Sequence, residues 1–108
     1  MDLTDRVAVI TGGSSGIGRE TAISMAERGA DIVVADVREE PRIPESEGGA
    51  EDPRPTHEYV DAETDREGHF VECDVRDPEG LRVAVEAAES LGGVDVMVNN
   101  AGVFRTLE

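Results

Sequence analysis

The chain has 108 residues, of which 38% are hydrophobic and 3% aromatic, and 25 Asp+Glu against 10 Lys+Arg give a formal net charge of −15. This length suits one modest domain or part of one. The charge excludes a basic nucleic-acid footprint and a polybasic membrane patch.

All ten cations are arginine. The single cysteine, Cys73, excludes an internal disulfide and a cysteine-rich zinc site. No apolar run approaches the ~20 residues of a membrane span. The segment Met1 to Arg6 lacks the apolar stretch of a secretory signal, so a cytoplasmic location is expected.

Val7-Ala8-Val9-Ile10 is a continuous apolar run, as a strand buried on both faces requires. Gly12 to Gly18 is rich in glycine. Ile17 to Arg28 reads as a helix, with Ile17, Ala22, Met25 and Ala26 broadly on one side and Arg19, Glu20, Glu27 and Arg28 as polar surface. Gly29 stands where a helix C-terminal glycine belongs. Ile32 to Ala35 is a second buried strand, ending at Asp36.

The stretch from Arg38 to His69 is unlike the rest. It holds eleven acidic residues, four arginines and four of the five prolines. Thr56 to Glu67 is the one part able to supply a crossover helix without proline, with Tyr59, Val60 and Glu63 as candidate neighbours. Pro41 to Pro55 reads as a solvated loop insertion. Phe70 to Cys73 is a third, shorter strand. Asp77-Pro78 reads as an N-cap followed by an N1 proline. The helix that follows carries Leu81, Ala84, Val85, Ala88 and Leu91 at helical spacing and stops at Gly92-Gly93. Val94 to Val98 is a fourth strand, followed by Asn99-Asn100-Ala101-Gly102.

Strands and helices alternate, and the strands are nearly all apolar. The expected class is therefore α/β, a parallel sheet with helices on both faces. Four strands make about half of a doubly wound sheet.

Thr11-Gly12-Gly13-Ser14-Ser15-Gly16-Ile17-Gly18 joins the first strand to the first helix. Glycines there allow a tight turn, close approach of the backbone to a pyrophosphate, and close packing of helix on sheet. The helix N-terminus adds free N–H groups and a positive dipole end. The spacing is Gly-x3-Gly-x-Gly, not Gly-x-Gly-x2-Gly, and the lysine of a P-loop is absent. A ligand-free glycine turn is the competing reading. Asp36 ends the second strand, where a dinucleotide fold meets the adenosine ribose. A carboxylate accepts from the ribose 2′-OH and repels a 2′-phosphate, so NAD is favoured over NADP. Arg38, two residues on, works against that preference. The competing reading of Asp36 is an exposed acid on an acidic protein.

These residues resemble the short-chain dehydrogenase/reductase family. Thr11 to Gly18 is similar to its cofactor motif Thr-Gly-x3-Gly-x-Gly, Asp36 to its NAD-preferring acid, Asp74-Val75 to its third-strand Asp-Val, and Asn99-Asn100-Ala101-Gly102 to its Asn-Asn-Ala-Gly motif. The resemblance implies a Rossmann-like doubly wound sheet in the order 3-2-1-4, truncated. It also implies an NAD(P)-dependent oxidoreductase acting on an alcohol or carbonyl. Gly12, Ser14, Ser15, Gly16, Ile17 and Gly18 would form the phosphate loop, and Asp74 and Val75 would contact adenine. Asn99 would brace the strand ends, and Ala101 and Gly102 would line the nicotinamide ribose. A helix-capping role for Asp74 and turn chemistry for the Asn pair stay open. His57 and His69 are expected at the surface.

The family's Tyr-x3-Lys pair has no counterpart in these residues: there is no lysine, and Tyr59 is the sole tyrosine. No catalytic or metal-binding residue is therefore assigned. The expectation is the cofactor-binding half of such an enzyme, partnered by a missing C-terminal half or a second copy. The alternative is a non-catalytic NAD-binding module or an inactive remnant. A dispersed acidic surface without lysine also resembles proteins of salt-loving organisms, where a Debye length of roughly 3 Å at molar salt tolerates self-repulsion.

Overall fold

The computed structural model describes residues 2–39, 53–74 and 76–100. Most of the expected loop, Val75, Ala101 and Gly102 lie outside the described residues. The elements are β1 (Val7–Thr11), α1 (Gly16–Glu27), β2 (Asp31–Asp36), α2 (Thr56–Glu63), β3 (Gly68–Glu72), α3 (Pro78–Glu89) and β4 (Val96–Asn99). The four strands form one parallel sheet in the order β3-β2-β1-β4.

The continuous apolar runs have a direct physical cause. Alternate residues of a strand face opposite sides of a sheet. Here Ala8, Ile10, Ile32 and Val34 face α1 and α2, packing with Ala22, Ala26 and Val60. Val7, Val9, Val33 and Ala35 face α3, packing with Cys73, Ala84 and Ala88. Both faces of β1 and β2 are covered, so their central positions are all apolar, and the polar residues Thr11, Asp31 and Asp36 stand at the strand ends. Each fully buried Val or Ile contributes about 1.5–3 kcal/mol of transfer free energy. Among the described residues no helix is long and apolar enough to cross a membrane.

Where boundaries differ from the sequence expectation, those of α2, β3 and β4 have a visible cause. α2 ends at Glu63, not Glu67. Thr64 turns extended, its hydroxyl donates to the Val60 carbonyl at 2.7 Å, and its Oγ1 accepts the Arg66 N–H at 3.0 Å. A threonine that satisfies both sides of a turn competes with helix continuation. β3 starts two residues early, because parallel pairing with β2 recruits Gly68 opposite Ile32 and His69 opposite Val33. Cys73 lies just past that strand, although its N–H still donates to the Asp36 carbonyl. β4 begins at Val96, since Asp95 is engaged in closing the strand entry: its carboxylate accepts the Val7 N–H at 2.9 Å.

Asp77 caps α3 as expected, accepting the Glu79 N–H at 3.0 Å with Pro78 at N1. Asp74 is not the capping acid. Its carboxylate instead binds the Arg76 guanidinium, with one contact at 2.7 Å.

Candidate cofactor-binding site

Strand register brings the candidate residues to one edge. Thr11 pairs with Ala35 on one side and with Asn99 on the other, and Asp36 pairs with Glu72. The glycine loop, Asp36, Asp74 and the Asn pair therefore all sit at the carboxyl ends of the strands. Open parallel α/β sheets bind ligands outside that edge.

The loop needs its glycines. Gly12 and Gly16 have φ of 68° and 57°, the left-handed region. A Cβ on Gly18 would lie 2.1 Å from the Gly12 carbonyl oxygen, inside any permissible contact. α1 thus packs its first turn against the loop, and Gly18 is the residue that permits it. Ser15 precedes the helix in an extended conformation and its side chain makes no capping hydrogen bond. The first N–H groups of a helix have no partner within it and carry the positive end of its dipole. Ile17, beside them, is 74% exposed. It presents an apolar side chain at the start of α1 beside the loop, and not on the buried side of the helix with Ala22 and Ala26.

Asp36 holds the loop from the side. One carboxylate oxygen accepts the Ser14 N–H at 3.1 Å and the other accepts the Val37 N–H at 2.7 Å. An ionised carboxylate has about four acceptor positions. Two are used to fix its orientation, which leaves capacity for a hydroxyl donor. Ser14 is buried, and its hydroxyl donates to the Arg38 carbonyl at 2.6 Å. It therefore braces the loop against the exit of β2. Across β1, the Thr11 hydroxyl donates to the Val98 carbonyl at 3.1 Å, with Asn99 Oδ1 at 3.5 Å. The Cys73 thiol is buried, and desolvation first, then the carboxylates of Asp74, Asp77 and Asp36, push its pKa up. It stays a protonated apolar filler, not a nucleophile.

Sequence reasoning missed three bracing residues. Asn100 donates from Nδ2 to the Gly12 carbonyl at 3.4 Å. Thr56, buried at the start of α2, donates to the Gly13 carbonyl at 2.7 Å and accepts from Arg19 Nη1 at 3.1 Å. Arg19 also donates to the Arg54 carbonyl at 2.7 Å. Only the double asparagine had a signal in the sequence, and it pointed to its neighbour. His57 also departs from expectation. It is half-buried, because its ring packs on Phe70 with centroids 5.9 Å apart. His69 is likewise half-buried, on β3 beside Glu67.

A sequence model of the short chain dehydrogenase family matches residues 6–108. An L-2,3-butanediol dehydrogenase of Corynebacterium glutamicum is 42% identical over 99 residues, 91% of this chain and 34% of that protein. A (−)-isopiperitenol/(−)-carveol dehydrogenase of Mentha piperita is 40% identical over 104 residues, 93% of this chain and 33% of that protein. The crystal structure of a short-chain type dehydrogenase/reductase from Mycobacterium marinum matches with a TM-score of 0.69 and 28% identity, over 89% of this chain and 34% of that one. The chain thus spans about a third of the length of these relatives.

Proposed function

Because this chain belongs to the short chain dehydrogenase family, we propose that it holds NAD for an oxidoreductase acting on an alcohol or carbonyl compound. Members of the family use NAD or NADP. The bound nicotinamide supplies the hydride acceptor or donor. The residues present suit such a ligand: a glycine loop with no room for a Cβ at Gly18, a helix N-terminus uncapped by the Ser15 side chain, and an oriented carboxylate at the tip of β2.

The roles follow from that arrangement. The loop from Gly12 to Gly18 and the first turn of α1 bind pyrophosphate through backbone N–H groups. Ile17 offers apolar contact at the loop mouth. Asp36 accepts from the adenosine ribose. Asp74 and Val75 flank adenine, while Asn99, Ala101 and Gly102 take the nicotinamide ribose side. No residue of these 108 is assigned the proton transfer. Tyr59 lies on α2 under the guanidinium groups of Arg54 and Arg19, 5.0 and 5.8 Å from its ring centroid.

The observation that carries the NAD preference is the Asp36 carboxylate, turned toward the phosphate loop by the Ser14 N–H. Asp36→Ala tests it. A lost charged hydrogen bond is worth about 1.5–3 kcal/mol, so NAD affinity should fall roughly ten- to a hundredfold. Discrimination against NADP should relax, since the repelling charge is gone. Fluorescence titration with NADH and NADPH reads both, and unchanged affinity for each would remove the assignment.

A further inference from the structure

We propose that Glu39, His57 and Glu58 form a site for one divalent transition-metal ion of the zinc class. The bound ion would pin together the two ends of the acidic connection between β2 and α2.

The ligand atoms of these three side chains all lie within 4.8 Å of one another. Zinc bonds of about 2.0–2.2 Å to nitrogen and oxygen place tetrahedral ligands roughly 3.3–3.6 Å apart. The three need only contract around the ion, and two of them are flexible carboxylate arms. Three protein ligands leave a fourth position for water. His57 Nδ1 is buried and has no hydrogen-bond partner among the described residues. A buried imidazole nitrogen without a partner is uncommon and costs free energy. Among the described residues no arginine pairs with Glu39 or Glu58. Two neighbouring carboxylates beside a histidine form a donor set suited to a cation. The imidazole selects the zinc group of ions over magnesium and calcium, which take oxygen shells.

The fold presents the histidine firmly. Its ring rests on Phe70. Its backbone sits so close to β3 that a Cβ on Gly68 would lie 2.4 Å from the His57 carbonyl oxygen. The preceding residue, Thr56, is tied to the Gly13 carbonyl of the phosphate loop. Glu39 stands three residues beyond Asp36, so the ion would join the exit of β2 to the first turn of α2. Metal bonds would offset the entropy cost of holding these two elements together.

The test is a Zn2+ titration by calorimetry into EDTA-stripped chain with no dinucleotide present, alongside thermal unfolding. One ion should bind per chain, raise Tm and resist displacement by excess Mg2+. Glu58 is exposed, so Glu58→Gln leaves folding intact and should weaken Zn2+ at least about tenfold. His57→Gln should do the same, and Glu79→Gln, at an acid elsewhere, should change nothing. Glu58 and His57 variants that bind Zn2+ as tightly as the parent chain would overturn the proposal. So would several weak ions per chain with no preference over Mg2+, or no binding at all.

Discussion

Strands β1, β2 and β4 belong to one sheet and use the same residue types, yet their surroundings differ sharply. Every side chain of β1 is buried, and so are the four central ones of β2. β4 alternates half-buried with exposed residues, and Met97 is 42% exposed. Val94 and Val83 are also exposed, on the segment leading into β4 and on α3. The cause lies in the helices. α1, α2 and α3 cover the middle of the sheet from both sides. The α1 side of β4 receives Val96 and Val98, while its other face meets no covering helix among the described residues. The β1–β2 half is thus determined by contacts present in these residues, and the β4 side is only half determined by them.

That contrast can be broken most directly by truncating matched side chains. Ile10 is completely buried in the cluster shared with α1 and α2. Ile10→Ala should cost about 2–5 kcal/mol through lost transfer free energy and an unrelaxed cavity. Met97→Ala, at the half-covered strand, should stay within about 1 kcal/mol, near the range of surface substitutions. Urea denaturation of the two variants reads the difference. Equal losses would mean that β4 is covered in solution as well as β1 is.

Gly18 tests the same contrast where the closed half meets the ligand. The missing Cβ is what lets α1 approach the Gly12 carbonyl. Gly18→Ala should force the helix and loop apart, costing about 1–3 kcal/mol of stability. The displaced helix start should also abolish measurable dinucleotide binding, because donors shifted by even ~1 Å lose their geometry. Gly16→Ala sharpens the point. Nothing lies within 4 Å of its Cβ position, so only its positive φ opposes the change. Its smaller loss of stability and binding, by the same denaturation and NADH titrations, would separate backbone strain from steric exclusion.

The central strands, the glycine loop and the Asp77-Pro78 start of α3 were legible in the sequence for local reasons. Each is a run or dipeptide whose physical demand falls on neighbouring residues. Doubly covered strands show as unbroken Val and Ile, and a proline after an acid marks a helix start. The bracing of the site was not legible, because it joins residues far apart in the chain. Thr56 reaches Gly13, Ser14 reaches the Arg38 carbonyl, and Asn100 reaches Gly12. A side chain bonding to a distant backbone carbonyl leaves no periodicity. The edges of β3 and β4 were misplaced for a related reason: parallel pairing decides where a strand begins, and the partner strand is not visible in the segment itself. The resemblance to a known family added roles for Asp74 and the Asn pair that spacing alone could not supply.

The smallest effect concerns Cys73, the one thiol, buried on the α3 side of β2 beside the acidic edge of the site. Burial, then the charges of Asp74, Asp77 and Asp36, raise its pKa above the ordinary 9.0. A group whose folded pKa is raised contributes stability that is complete below its unfolded value and lost as pH rises through the folded value. The thiol therefore favours the folded state fully at neutral pH, and that contribution declines only in the alkaline range above about pH 9. Cys73→Ala removes the titrating group, so the variant's stability should fall less steeply with pH there than that of the parent chain, even though its stability at neutral pH is lower for the lost packing. Denaturation midpoints from neutral to alkaline pH give the two slopes. Parallel slopes would show that the thiol ionises as freely in the folded chain as in the unfolded one, and the closed half of the sheet would then be more open to water at β2 than its buried side chains imply.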